Sequence, residues 1–282
     1  MNRKLRFGPA GKPLKYKGKS EEVPRFLHEL GLDAYEYQAV RGVKISEDKA
    51  KTLAQFAKEF DVELSLHAPY YINLCSTKES VIVSSVQRLV ASMKAAKLMN
   101  ASIVVFHPGY YGSLSPEEAL SVCISSMNKV IEYAKSEGVS NVYLSPETMG
   151  KIKQLGSLDE ILSLCESVEN TIPTIDWAHL HARGKGAIKT KDDYLKVLCE
   201  IEKRLGSEVV KSLHMHFTKV SFSDSGEVKH YPLSAVDYGP DFKYLAELIV
   251  EYGYCFTIIS ESPLLEEDAL LMKNMVKKLM EG

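Results

Sequence analysis

Cysteine is scarce and unpaired in this sequence. Its five cysteines are an odd number and lack the paired spacing of metal or redox motifs, so they favour a reducing compartment over a disulfide framework. No apolar run reaches about 18 residues, and the basic stretch 1–20 lacks the apolar core of a signal peptide. The sequence therefore predicts a cytoplasmic protein that is neither exported nor embedded in a membrane.

An excess of charge of one sign is also missing. The 35 Lys and Arg residues against 37 Asp and Glu give a formal net charge of −2, which does not by itself indicate nucleic-acid binding. Basic residues are nevertheless concentrated before the first acidic residue: Arg3, Lys4, Arg6, Lys12, Lys15, Lys17 and Lys19. We expect this cluster to make salt-dependent phosphate contacts that carry no sequence preference.

The sequence has no G-x-G-x-x-G after its first strand-like run, no low-complexity linker and no short repeat. These absences disfavour a doubly wound nucleotide-binding sheet, separate domains and a solenoid. Instead, eight strand-like runs alternate with amphipathic helical patterns, and the runs lie at 4–8, 33–38, 62–68, 102–109, 141–147, 171–176, 211–217 and 255–261. Eight strand-and-helix units predict one α/β domain over residues 1–282, folded as a (β/α)₈ TIM barrel.

Six consecutive predicted strands end in residue types that bind metal ions. These are His67, His107, Glu147, Asp176, the pair His214 and His216, and Glu261. The carboxyl ends of the strands in such a barrel converge on one rim, where active sites lie. Histidine and carboxylate without cysteine suit zinc or manganese, and clustered carboxylates repel one another unless a cation lies between them. The pattern predicts a metal site in which carboxylates bridge a pair of ions.

Ordered motifs along the chain resemble those of the endonuclease IV family of apurinic/apyrimidinic (AP) endonucleases, within the wider xylose-isomerase-like barrels. They are HAPYYINL (67–74), FHPG (106–109), PETMGKIKQLGS (146–157), DWAHLHA (176–182), KSLHMHFTK (211–219) and ESP (261–263). The resemblance implies a zinc-dependent deoxyribonuclease of base excision repair. Such an enzyme is a phosphoric diester hydrolase that cuts double-stranded DNA 5′ to an abasic site. We expect a monomer that works in the cytoplasm, at the nucleoid if its source is prokaryotic.

The resemblance also implies roles for individual residues in binding two zinc ions, with a third ion as a further possibility and manganese as a substitute. His67 and His107 would hold one ion. Glu147, the catalytic carboxylate, would bridge this ion to a second one, which Asp176, His214 and Glu261 would complete.

Two ligand choices remain open near the seventh strand. A gap-free match places His214 on the family's ligand, but His216 faces the same side of an extended strand. The third ion would be held by His179 and His230, but the acid expected two residues before His230 is missing. Glu227 stands one residue earlier still and would face away from His230 in a regular strand, so only a bend would bring both to one ion.

The resemblance further implies DNA contacts. Tyr70 and Tyr71 after the third strand, and Arg41 after the second, would fill the gap beside a flipped nucleotide. Two other functions stay open. A divalent-metal sugar isomerase or epimerase on the same scaffold would use one ion and two acid/base carboxylates such as Glu147 and Glu261. A DNA-binding relative with impaired catalysis would bind damaged DNA without turnover.

Overall fold

The computed structural model describes residues 4–282, and eight parallel strands form the inner wall of a barrel. They run Arg6–Pro9, Ala34–Gln38, Glu63–His67, Ile103–Phe106, Tyr143–Pro146, Thr174–Asp176, His214–Phe217 and Thr257–Ser260. The second to fifth strands pair in order, and so do the sixth, seventh, eighth and first. Isolated parallel bridges from Ala10 to Glu36 and from Glu147 to Thr174 join the two sheets. The predicted (β/α)₈ TIM barrel is confirmed.

Helices cover the outside of this wall, and several begin at a capping side chain. Ser115, Ser157 and Thr190 each form a capping box with the acidic residue three positions later, which satisfies amide groups that have no partner within the helix. The helices are Val23–Glu29, Glu47–Glu59, Glu79–Met99, Pro116–Ser136, Leu158–Ser167, Trp177–Arg183, Lys191–Leu205, Ser207–Val210, Phe242–Tyr252 and Glu266–Glu281, with a 3₁₀ turn at Ser20–Glu22. Within residues 4–282, none of them is long and apolar enough to cross a membrane.

The apolar core lies between the strands and the helices. Successive side chains of a strand point to opposite faces, and the outward ones, such as Leu66, Val104 and Met215, are buried against the helices. The inward ones are often polar. Ser145 Oγ and Thr174 Oγ1, for example, lie 2.6 Å apart in a hydrogen bond. Below the rim, hydrogen-bonded polar side chains therefore line part of the barrel interior.

Elements at the strand ends shape the rim, and the sequence patterns did not predict them. The sixth strand passes directly into the helix Trp177–Arg183, and the seventh is followed by a hairpin of Lys219–Ser223 and Gly226–Tyr231. Gly109–Tyr110 pairs with Gln154–Leu155. This pairing ties the loop after the fourth strand to the loop after the fifth.

The basic N-terminal residues do not form the single cluster that we expected. Lys4 and Arg6 form ion pairs with Asp61 at the amino ends of the strands, on the face of the barrel opposite the rim. The basic residues of 12–19 follow the first strand at its carboxyl end, while Arg3 lies outside the described residues. The expected phosphate-binding cluster is thus divided between the two ends of the barrel.

Candidate metal centre

The predicted ligands meet around the carboxylate of Glu147, which follows the fifth strand and is fully buried. Its Oε2 lies 3.2 Å from His67 Nε2 and 3.1 Å from His107 Nε2. Its Oε1 lies 3.0 Å from His216 Nδ1 and 3.3 Å from His179 Nδ1. Each oxygen therefore faces two imidazoles, and a carboxylate in this position can be shared by two cations.

The ionisation of the cluster reflects opposing charges in a buried volume. Burial opposes ionisation of Glu147, but the charge of His216 and the hydrogen bond from His107 outweigh it and hold the pKa of Glu147 well below its usual value. Burial, opposed by a neighbouring imidazole and reinforced by Glu261, raises the pKa of Asp176 to about 7. Burial disfavours the charged ring of His216, yet the carboxylates around it raise its pKa well above the ordinary value. Without a cation, the cluster is neutralised by protons.

The donor atoms also fit a cation. His67 Nδ1 donates to the carbonyl of Ala68 at 2.9 Å, and His179 Nδ1 donates to the carbonyl of Thr148 at 2.8 Å. Each of these two rings then carries its lone pair on Nε2, as a metal ligand requires. Asp176 Oδ2 is buried and accepts no hydrogen bond from any described residue. Its only charged neighbour among the described ion pairs is His179 Nδ1, 3.4 Å away. A buried oxygen that accepts no hydrogen bond calls for an explanation, and an ion would supply a ligand contact.

His216, not His214, occupies the expected ligand position of the seventh strand. Its Nδ1 lies 3.3 Å from Glu261 Oε1, and its backbone is in register with Asp176. His214 faces the same way but lies deeper in the barrel, with Nε2 2.9 Å from Glu36 Oε2. Two residues along a strand move a side chain by about 6–7 Å. The structure therefore corrects the gap-free match that placed His214 with Asp176 and Glu261.

A second group lies beyond Glu147 and consists of His179, Glu227 and His230. Glu227 Oε2 lies 3.1 Å from His179 Nε2, and its Oε1 lies 3.4 Å from His230 Nε2. The register of the hairpin shifts so that Val228 has no partner on the opposite strand, which is a β-bulge. The extra residue turns Glu227 to the same side as His230. The bulge supplies the bend that the spacing of these two residues required.

A close backbone approach and a helix cap bring this group to the rim. A Cβ atom at Gly150 would lie 2.7 Å from Glu227 Cβ and 3.0 Å from His179 Cδ2, so a larger residue would push the hairpin away. Asp176 Oδ1 accepts a hydrogen bond from His179 N at 2.8 Å and caps the helix that follows the sixth strand. Because the helix begins there, His179 lies beside Asp176. His181, in contrast, points away and donates from Nδ1 to a backbone carbonyl.

Sequence reasoning missed Glu36, which is fully buried in the second strand. Its carboxylate lies 2.9 Å from His214 Nε2 and 3.1 Å from His216 Nε2. A signal was available. Ala34, Glu36 and Gln38 alternate along the strand and face the barrel interior, and a carboxylate in such a position needs partners of opposite charge or hydrogen-bond donors.

The centre opens to solvent through a cavity of about 320 Å³. The ring of Tyr70 forms part of its wall and stacks on His107, with the ring centroids 5.2 Å apart and the planes at 16°. Tyr70 N donates to the carbonyl of Val40 at 3.3 Å, so the loop that carries Arg41 lies beside the tyrosines. Tyr70 and Tyr71 are each 52% exposed, and Arg41 is exposed. Of the three predicted DNA-contact residues, only Tyr70 lines the cavity. Tyr71 follows it in the chain, and Arg41 follows Val40, to which Tyr70 is hydrogen-bonded.

A barrel whose rim combines imidazoles and carboxylates corresponds to a known class of proteins. The model of the xylose isomerase-like TIM barrel family matches residues 24–277, and the chain belongs to this family. Among its relatives is an uncharacterized protein of Methanocaldococcus jannaschii that is 34% identical over 283 residues. That match covers 99% of this chain and 100% of the relative.

Relatives that carry the name of an enzyme are more distant. The probable endonuclease 4 of Aquifex aeolicus is 29% identical over 181 residues, and the match covers 62% of this chain and 62% of the relative. The crystal structure of endonuclease IV from Thermus thermophilus has a TM-score of 0.71 and 19% identity, covering 98% of this chain and 99% of that chain. A D-tagatose 3-epimerase-like protein also has a TM-score of 0.71, with 21% identity and coverage of 98% and 97%. The similarity to endonuclease IV is confirmed, while the two structures show the fold alone.

Proposed function

We propose that the protein is a metal-dependent AP endonuclease that hydrolyses the phosphodiester 5′ to an abasic site in double-stranded DNA. The observation that carries this proposal is the position of Glu147, whose two oxygens each face two imidazoles. Such a shared carboxylate suits two cations that clamp a phosphoryl group. The similarity to the probable endonuclease 4 of Aquifex aeolicus supports the same assignment.

Zinc is the cation that we propose, with manganese as a substitute, because the donor set combines imidazoles and carboxylates without a thiolate. Among the described residues, four groups offer ligand atoms within 4.8 Å of one another, and three of them lie at the rim. These three are His67, His107 and Glu147 for one ion, Glu147, Asp176, His216 and Glu261 for a second, and His179, Glu227 and His230 for a third. When bound, the ions would supply Lewis-acid activation of the phosphate and of a nucleophilic water. The third group includes Glu227 in place of the acid expected at residue 228.

The residues around the cavity would bind and orient the DNA. Lys151 lines the cavity, where its ammonium group would attract the backbone phosphate next to the lesion. Tyr70, Tyr71 and Arg41 offer aromatic and guanidinium surface that can fill the gap left by the missing base. The ring of Tyr70 also covers His107, and this contact limits the access of solvent to that ring.

The DNA contacts can be tested separately from the metals. Tyr71→Ala and Arg41→Ala should each weaken binding to a duplex with an abasic-site analogue by about 1–3 kcal/mol, because each removes a stacking group. Metal content should stay at the parent value, because neither residue offers a ligand atom to the centre. Tyr143→Ala is the matched control, since this exposed tyrosine begins the fifth strand at the opposite end of the barrel. If both rim variants bind the abasic duplex as tightly as the parent, the proposed contacts are wrong.

A divalent-metal sugar isomerase or epimerase is the second candidate, and one observation favours it. One group by itself can hold a single ion, and it consists of Glu147, Asp176, His216 and Glu261. Its carboxylates could also transfer protons. Metal analysis and an incision assay on one preparation separate the functions. Two or more ions per chain with incision support the endonuclease. One ion without incision favours the isomerase, and binding of abasic DNA without turnover favours a relative with impaired catalysis.

A further inference from the structure

Glu36 lies inside the barrel, across from the seventh strand, and accepts four hydrogen bonds. Its Oε2 lies 2.9 Å from His214 Nε2 and 3.0 Å from Ser65 Oγ. Gln38 Nε2 donates to Oε1 at 2.9 Å, and His216 Nε2 lies 3.1 Å from the same carboxylate. A carboxylate has about four acceptor positions, so these donors saturate it.

This saturation decides whether the group of Glu36, His214 and His216 binds a metal ion or is held together by hydrogen bonds alone. Their ligand atoms lie close enough together to hold a metal ion. An ion there, however, would have to displace the donors Ser65 and Gln38 from a fully buried carboxylate. Unpaired hydroxyl and amide groups would be left in the barrel interior at an energetic cost. The geometry favours a carboxylate that accepts hydrogen bonds from the two histidines.

The contact with Glu36 fixes the orientation of the His216 ring. When Nε2–H donates to Glu36, the lone pair of the neutral ring is on Nδ1. Nδ1 lies 3.0 Å from Glu147 Oε1 and 3.3 Å from Glu261 Oε1, so it points into the centre where the second ion would bind. Carboxylates that accept the distal N–H of a ligand histidine fix its tautomer and raise its basicity.

We infer that Glu36 is a positioning residue of the metal centre, which holds His216 with Nδ1 toward Glu147 and Glu261. His214 then holds Glu36 in place by donating a hydrogen bond to it and is not a metal ligand. This explains why the seventh strand carries two histidines on one face. The inference rests on the metal-dependent function proposed above. It gives the second strand a role in metal binding, because Glu36 lies below the rim and acts through His216.

The test is a metal titration of Glu36→Gln, which keeps the size of the side chain but removes its charge. Competition with a zinc chelator should show affinity for one ion weakened by about 10–100-fold, while the ion at His67 and His107 keeps the parent affinity. In zinc-loaded protein labelled with ¹⁵N-histidine, the hydrogen-bonded Nε2–H signal of His216 should move or disappear. Glu63→Gln is the matched control, because Glu63 begins the third strand at the other end of the barrel.

Unchanged zinc affinity together with an unchanged His216 Nε2–H signal in Glu36→Gln would overturn the inference. Far-UV circular dichroism shows whether this variant folds. If it does not, Ser65→Ala and His214→Leu each remove one donor and keep the carboxylate. Each substitution should lower the affinity for the same ion by a few-fold. If both variants bind that ion as tightly as the parent, the inference is equally overturned.

The inference and the proposed function can fail separately. Suppose that the parent binds zinc, that Glu36→Gln binds it more weakly, and that neither protein incises an abasic duplex. The endonuclease proposal then fails while the role of Glu36 stands. If the parent incises and Glu36→Gln binds zinc as the parent does, only the inference fails. A parent chain that binds no zinc or manganese would refute both.

Discussion

Glu147→Gln is the substitution that tests the centre most directly. The change preserves the shape of the side chain but replaces an oxygen with an amide nitrogen and removes the negative charge. Whichever way the amide turns, its NH₂ group faces either His67 and His107 or His179 and His216, whose nitrogens lie 3.0–3.3 Å from the native oxygens. A donor in that place cannot ligate a cation, so at least one of the two ions loses its bridge.

The expected loss of activity is large. Bound metal ions contribute several kcal/mol to the stabilisation of a phosphoryl-transfer transition state. A loss of about 4 kcal/mol corresponds to about 1000-fold in rate. We therefore expect Glu147→Gln to lower the rate of incision by at least about 1000-fold. Folding should be largely retained, because the amide fills the same volume and still forms hydrogen bonds.

The assay is single-turnover incision of a fluorescent duplex with one abasic-site analogue, at saturating enzyme. Zinc content and thermal unfolding are measured on the same preparation, so that a loss of rate can be assigned to the centre and not to the fold. Glu63→Gln makes the same chemical change at the other end of the barrel and should incise at the parent rate. Activity of Glu147→Gln within about tenfold of the parent, a difference of about 1.4 kcal/mol, would refute the bridging role.

Further predictions concern the first ion, the DNA surface and the acid stability. His67→Ala and His107→Ala should each lose the same single ion from a parent that holds at least two, as measured by elemental analysis after dialysis; loss of different ions would contradict the shared site. Lys151→Ala should reduce the slope of log affinity against log salt by about one, whereas Lys4→Ala, on the opposite face, should leave it unchanged. Hydrogen bonds from Lys4 and from an adjacent arginine hold the pKa of Asp61 at about 2, below its ordinary 3.8. The ionised form of Asp61 therefore adds stability above pH 3.8 that is lost as the pH falls through 2. Since the side chain is exposed, Asp61→Asn should lower the free energy of unfolding by less than about 1 kcal/mol at pH 7. By urea denaturation, that difference should shrink as the pH falls from 3.8 and vanish below about pH 2. A constant difference would contradict the pKa.

Local sequence patterns were enough to predict the barrel. Eight apolar runs of strand length alternate with amphipathic helices, and capping residues such as Ser157 and Thr190 mark where the helices begin. These signals depend on neighbours a few residues apart, so they can be read from the chain alone. The same holds for the rim. The carboxyl ends of the strands converge in this architecture. Residues as distant in sequence as His67 and Glu261 can therefore be assigned to one site from the sequence alone.

Which side chains reach one another was decided by the tertiary structure. His214 and His216 share a face and differ only in depth, and it is the register with the sixth strand that brings His216 level with Asp176. Glu227 turns toward His230 because a bulge in the hairpin absorbs one residue. Glu36 belongs to the centre because the closed wall brings the second strand across from the seventh. Spacing in the chain specifies which face a side chain takes, whereas register, bulges and closure depend on pairing between distant segments.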